Sequence, residues 1–98
     1  MTITKTQNGT DLLVAVEGRL DTVTAPEFEN EMKPALAEVA NVTLDFEKLE
    51  YISSAGLRAL LLVRKALYGK GSVKVINANS LVKEVFEVTG FINILDVQ

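Results

Sequence analysis

The sequence predicts an α/β fold: one mixed β-sheet, parallel except for an antiparallel hairpin at the start, with flanking helices. Three observations predict it. Strand-like alternation on both sides of Asn8-Gly9 marks a tight-turned hairpin. Three stretches with apolar residues at helical spacing follow, separated by short β-rich runs. Strands joined through helical crossovers run parallel, with right-handed connections. The 98 residues suffice for one compact domain, read as residues 1–98, without repeat, linker or low-complexity tract.

Thr2 to Thr6 alternates as a first strand, and Leu12 to Glu17 resumes as a second. Gly18 breaks the pattern, so Arg19-Leu20-Asp21 is expected to be a connection. Thr24-Ala25-Pro26-Glu27 has the form of a capping box, with Val23 and Phe28 placed for a hydrophobic staple. Pro26 suits the first turn of the helix, where its missing N–H costs little. Phe28, Met32, Ala35, Leu36 and Val39 form its apolar stripe, and Asn41 is expected to end it. Pro34 should kink this helix, because it offers no N–H to the Asn30 carbonyl.

Val42 to Phe46 reads as the third strand, and Glu47 to Glu50 as a polar turn around Leu49. Tyr51 to Leu57 opens a helix running to Tyr68 or Gly69, where Gly69 and Gly71 supply a stop. Ser72 to Ile76 is strand-like. Ser80 is expected to cap a shorter helix that turns Leu81, Val82, Val85 and Phe86 inward and ends at Thr89-Gly90. Ile92 to Val97 reads as a last strand.

Composition excludes several kinds of chemistry. Cysteine and histidine are absent, so there is no disulfide, thiolate nucleophile, imidazole ligand or histidine acid/base. A formal charge of −3 argues against nucleic acid as a partner. The most apolar run, Leu60 to Val63, is far short of the ~20 residues of a membrane helix. Met1 to Glu17 lacks the pattern of a signal peptide. The chain reads as soluble and cytoplasmic, with no membrane insertion.

Charge is segregated along the chain. From Asp21 to Glu50 stand eight acidic and two basic residues; from Arg58 to Lys83 stand six basic residues and no acidic one. Such a division can steer an oppositely patterned partner, or mark solvated helix faces that differ in sign.

The corner Ile52 to Leu57 carries the candidate chemistry. With Ser53 as N-cap, Ile52 precedes the cap and Leu57 stands four residues into the helix, the staple arrangement. The Ser53 oxygen is then committed to a backbone N–H, and the Ser54 hydroxyl is left free. Small Ala55 and Gly56 let another backbone approach, a partner's or this chain's own strand. Phosphorylation of Ser54 would add about −1.5 to −2 charges at a helix N-terminus that stabilises anions.

Leu44-Asp45-Phe46, Leu49 and Tyr51-Ile52-Ser53-Ser54-Ala55-Gly56-Leu57 resemble the core signature of the STAS domains, in particular the bacterial anti-sigma factor antagonists. Gly18-Arg19-Leu20-Asp21 is similar to the turn after their second strand, and Val82, Phe86, Gly90 and Phe91 to their late helix. The resemblance spans nearly the whole chain and implies a STAS-like fold.

It also implies a partner-switching antagonist, phosphorylated on Ser54 by its partner, an anti-sigma factor that is a serine kinase. A PP2C-type phosphatase is a further implied partner. The family signature has Asp where this chain has Ser53, a change that keeps a capping oxygen and removes a charge. The implied docking surface is Ile52, Ser53, Ser54, Ala55, Gly56, Leu57 and Arg58 together with Gly18, Arg19, Leu20, Asp21 and Thr22. No cofactor is implied, and nucleotide belongs to the kinase. The alternative is a STAS accessory subunit, docking in a lipid-transport or stress-signalling complex without phosphoswitching.

An enzyme is disfavoured. Ser54 lacks a histidine base and a Gly-x-Ser-x-Gly elbow. Asp21 and Asp45 at strand ends are a weak magnesium pair, better read as turn-capping carboxylates.

Overall fold

The computed structural model describes residues 1–98. Its elements are β1 (Thr2–Asn8), β2 (Asp11–Leu20), α1 (Ala25–Leu36), β3 (Asn41–Asp45), β4 (Leu49–Ile52), α2 (Ser54–Leu67), β5 (Val73–Ile76), α3 (Ser80–Thr89), a 3₁₀ turn (Phe91–Asn93) and β6 (Asp96–Val97). The sheet runs β1-β2-β3-β5-β6, with β4 beside the end of β2. Only β1 and β2 pair antiparallel. The expected mixed, mostly parallel sheet is what forms.

Alternation decides which sheet face is covered. Leu12, Val14 and Val16 of β2, Val42 and Leu44 of β3, and Val73 and Val75 of β5 point into a single core of 26 residues. Phe28 and Met32 of α1, Leu60 and Val63 of α2, and Val82 and Phe86 of α3 close that core. On the opposite face Leu13 and Glu17 are exposed.

Several expectations are corrected. The second strand does not stop at Gly18. It continues to Leu20, because Gly18 adopts φ +106, open to glycine, and the bulge falls on the neighbouring strand, where Glu50 is the extra residue opposite Gly18–Arg19. The expected turn at Glu47 to Glu50 gives way to β4 at Leu49, whose register with β2 shifts from Gly18↔Leu49 to Arg19↔Tyr51. Thr24 is the residue before α1, but its side chain caps no helical N–H. Its hydroxyl donates to the Arg19 carbonyl at 2.7 Å and accepts the Asp21 N–H at 2.9 Å. Val23 is 84% exposed and staples nothing.

Helix α1 passes through Pro34 and ends at Leu36, short of Asn41. Val39 is nevertheless buried, from the connection after the helix. Asn41 begins β3 and ties strand ends together: its amide donates to Asp11 at 2.9 Å and its oxygen accepts the Ser72 N–H at 3.1 Å. The cap of α3 is Asn79, one residue before the expected Ser80; Asn79 Oδ1 accepts the Val82 N–H at 2.8 Å. Leu81 faces solvent, while Val82 and Phe86 are buried as expected. Gly90, at φ +81, closes α3 in the left-handed conformation. The last strand is only Asp96–Val97, since Phe91–Asn93 coils into the 3₁₀ turn.

Candidate functional site

The end of β2, all of β4 and the start of α2 meet at one corner. The Gly18 N–H donates to the Lys48 carbonyl at 3.0 Å, and the Ser53 N–H to the Leu20 carbonyl at 2.9 Å. These bonds hold β4 beside β2 and place the first residue of α2 at the end of the sheet. Ser53 is extended and caps α2: its Oγ accepts the Gly56 N–H at 3.4 Å, and its carbonyl accepts the Leu57 N–H at 2.9 Å. Ile52 and Leu57 are both buried, as the staple requires.

Ser54 is the first residue of α2. It is exposed, and its hydroxyl makes no hydrogen bond within the chain. Arg58, one turn later, is exposed as well. No acidic residue stands in the first turn of α2. The corner therefore presents a free hydroxyl, a cation and the unpaired amides of a helix start.

The expected site residues separate into two layers. Arg19, Thr22, Ser54 and Arg58 are exposed; Gly18, Asp21, Ser53 and Ala55 are half-buried. Leu20, Ile52, Gly56 and Leu57 are buried and support the corner from inside. Gly56 serves this chain's own strand: a β-carbon there would lie 2.6 Å from the Leu20 carbonyl oxygen and 2.7 Å from Ile52 Cγ1. The missing side chain lets α2 close onto β2 and β4.

Beside the serines, a second small network is built on Asp21. Its Oδ1 accepts the Val23 N–H at 3.0 Å and the Thr24 N–H at 3.1 Å, an Asx-type turn that leads into α1. The Thr24 N–H, first among these donors, holds the Asp21 carboxyl below the ordinary aspartate range. Partial desolvation opposes this, while Val23, the Thr24 hydroxyl and Arg19 reinforce it. Arg19 Nε lies 3.5 Å from Asp21 Oδ2, and its guanidinium sits 4.7 Å from the centre of the Tyr51 ring. Tyr51 was not among the expected site residues. Its role becomes visible only once β4 is recognised, because the bulge at Glu50, opposite Gly18–Arg19, sets it against Arg19.

Asp21 and Asp45 do not meet. Asp45 is level with Ala15 of β2, whereas Asp21 follows Leu20, roughly 20 Å further along at strand rise. Asp45 instead accepts the Glu47 N–H and the Asn77 amide, both at 3.1 Å. No helix is long and apolar enough to cross a membrane.

A family model described as STAS domain matches residues 2–98. The Bordetella bronchiseptica protein named as anti-sigma factor antagonist BtrV is 36% identical over 88 residues, covering 88% of this chain and 76% of that protein. The anti-sigma-B factor antagonist of Bacillus subtilis is 26% identical over 92 residues, covering 93% of this chain and 84% of its own. The crystal structure of an anti-sigma factor antagonist from Mycobacterium paratuberculosis has the same fold. Its TM-score is 0.89 at 22% identity, over 98% of this chain and 83% of the other. The chain belongs to the STAS domain family, alongside the anti-sigma factor antagonists.

Proposed function

We propose that this protein is the antagonist of a partner-switching pathway. It is a binding module that captures an anti-sigma factor while Ser54 is unmodified and releases it when Ser54 is phosphorylated. The observation that carries this reading is the exposed, unbonded hydroxyl of Ser54 at the start of α2, beside a serine whose own oxygen is committed to the cap.

The partner would be a serine kinase using ATP. Ser54 Oγ attacks the γ-phosphorus, the bond to the β,γ-bridging oxygen breaks, and ADP departs. The hydroxyl proton passes to a base on the kinase. A dianion then occupies a surface that previously offered a neutral hydroxyl beside Arg58. A partner face docked against the unmodified corner meets repulsion and desolvation cost in the modified state. A PP2C-type phosphatase would restore the hydroxyl by hydrolysis.

The proposed docking surface is the outer part of the corner, exposed Arg19, Thr22, Ser54 and Arg58 with half-buried Gly18, Asp21, Ser53 and Ala55. The test incubates the purified chain with its cognate anti-sigma kinase and ATP, followed by intact-mass measurement. One phosphoryl group on the unsubstituted chain and none on Ser54→Ala supports the assignment. An unlabelled chain that still binds a partner favours an accessory docking role without a phosphoswitch.

A further inference from the structure

The chain has three arginines, and two of them are committed. Arg19 is held by Asp21 and by the Tyr51 ring. Arg64 donates through Nε to the Ile94 carbonyl at 3.2 Å and lies 6.0 Å from the Tyr68 ring centre. Arg58 alone has no ion pair, hydrogen bond or aromatic ring, although it is exposed in the first half of α2.

Its position is specific. Arg58 follows Ser54 by four residues on the same helix. Residues four apart lie about 5–6 Å from each other at Cβ, and an acidic group N-terminal to the cation is the favourable order. Helix α2 contains no Asp or Glu to compete on its own surface. The charged groups on elements packed against it are Glu27, Glu29, Glu31 and Lys33 of α1, Glu50 of β4 and Lys74 of β5. None of the acidic ones forms an ion pair with Arg58, and Asp21 takes Arg19 instead.

Resting on the phosphoswitch reading, we infer that Arg58 is the intramolecular clamp of phosphorylated Ser54. Its guanidinium folds back one turn and donates to the phosphate oxygens, a geometry suited to planar two-point pairing. Phosphorylation then changes the corner twice. It adds a dianion and also withdraws the unpaired cation from the docking face. The unmodified chain offers Arg58 to an acidic group of the partner; the modified chain keeps it for itself.

The test uses the full chain with phosphoserine installed at position 54 by genetic encoding, so that it does not depend on the kinase. The second ionisation of the phosphate is followed by ³¹P NMR titration at low salt, in the unsubstituted chain and in Arg58→Gln. The helix terminus acts on both alike, so the difference isolates the arginine. The expected result is a pKa lower by about 0.15–0.4 unit when Arg58 is present. An Arg58→Lys chain, which keeps the charge, should also titrate below Arg58→Gln. Superimposable curves for the unsubstituted chain and Arg58→Gln would overturn the clamp. Absence of Ser54 labelling by the kinase would overturn the switch while leaving this titration unaffected, so the two failures are distinguishable.

Discussion

Gly56 faces the carbonyl of Leu20 so closely that a β-carbon would stand 2.6 Å from its oxygen. The same carbonyl accepts the Ser53 N–H. One backbone oxygen at the end of β2 thus fixes both the cap residue of α2 and the distance of its first turn from the sheet. The presentation of Ser54 depends on that contact.

Gly56→Ala should therefore destabilise the protein, although alanine is the better helix former. Overpacking against backbone costs about 1–3 kcal/mol, and helix propensity returns at most about 1. Urea unfolding of the pair of proteins measures the difference. A variant as stable as the parent would show that α2 can move away from Leu20 freely.

Ser53→Ala should lose about 1 kcal/mol, the ordinary value for deleting a capping oxygen. Ser53→Asp keeps the oxygen and adds charge at the favoured end of the helix, so it should match or exceed the parent by about 0.3–1 kcal/mol at low salt. Denaturant midpoints of the three chains at neutral pH check the order Ala, then Ser, then Asp.

Much of this corner was legible in the sequence. Ser53 was identifiable as cap because Ile52 and Leu57 bracket it at staple spacing, and both prove buried. The hairpin was legible, but its turn lies one residue later than the Asn8-Gly9 signal: Asn8 pairs with Asp11, and the two-residue loop is Gly9-Thr10, with Gly9 at φ +64. β4 was not. It is four residues long, and the register shift opposite Gly18–Arg19 interrupts the two-residue period that identifies a strand. Its apolar ends, Leu49 and Ile52, fall three apart and look like parts of a turn and a helix.

Thr24 misled for a different reason. The capping-box spacing is present, but the hydroxyl finds the Arg19 carbonyl and the Asp21 N–H first. That competition is set by the path of β2 beyond Gly18 and has no signature near Thr24. Asn79 lay one residue outside the expected cap, and its reason is also tertiary: its amide reaches the Leu49 carbonyl of β4 at 3.0 Å.

Asn79→Ala should consequently cost about 1–2 kcal/mol, at the upper end for a cap because it also unties β4. Ser80→Ala should lie within about 0.5 kcal/mol of the parent, as an exposed residue without a hydrogen bond. Thermal unfolding of the two variants separates the assignments. Equal losses would contradict the role of Asn79.

The Asp21 turn predicts a dependence on pH. Its carboxyl is depressed in the folded chain relative to the ordinary value of 3.8, so folding favours the ionised form. The stabilisation is present above that value and is lost as pH falls through the lower folded value. Stability measured between pH 5 and pH 2, windows of about one unit, should therefore fall less steeply in Asp21→Asn than in the parent. Parallel curves would remove Asp21 from the acid response.

The most direct measurement is the dissociation constant of the cognate anti-sigma factor for two forms of the chain, with serine or with phosphoserine at position 54. The account predicts weakening by about tenfold or more on modification, equivalent to about 1.4 kcal/mol. Equal affinity for the two forms would contradict it.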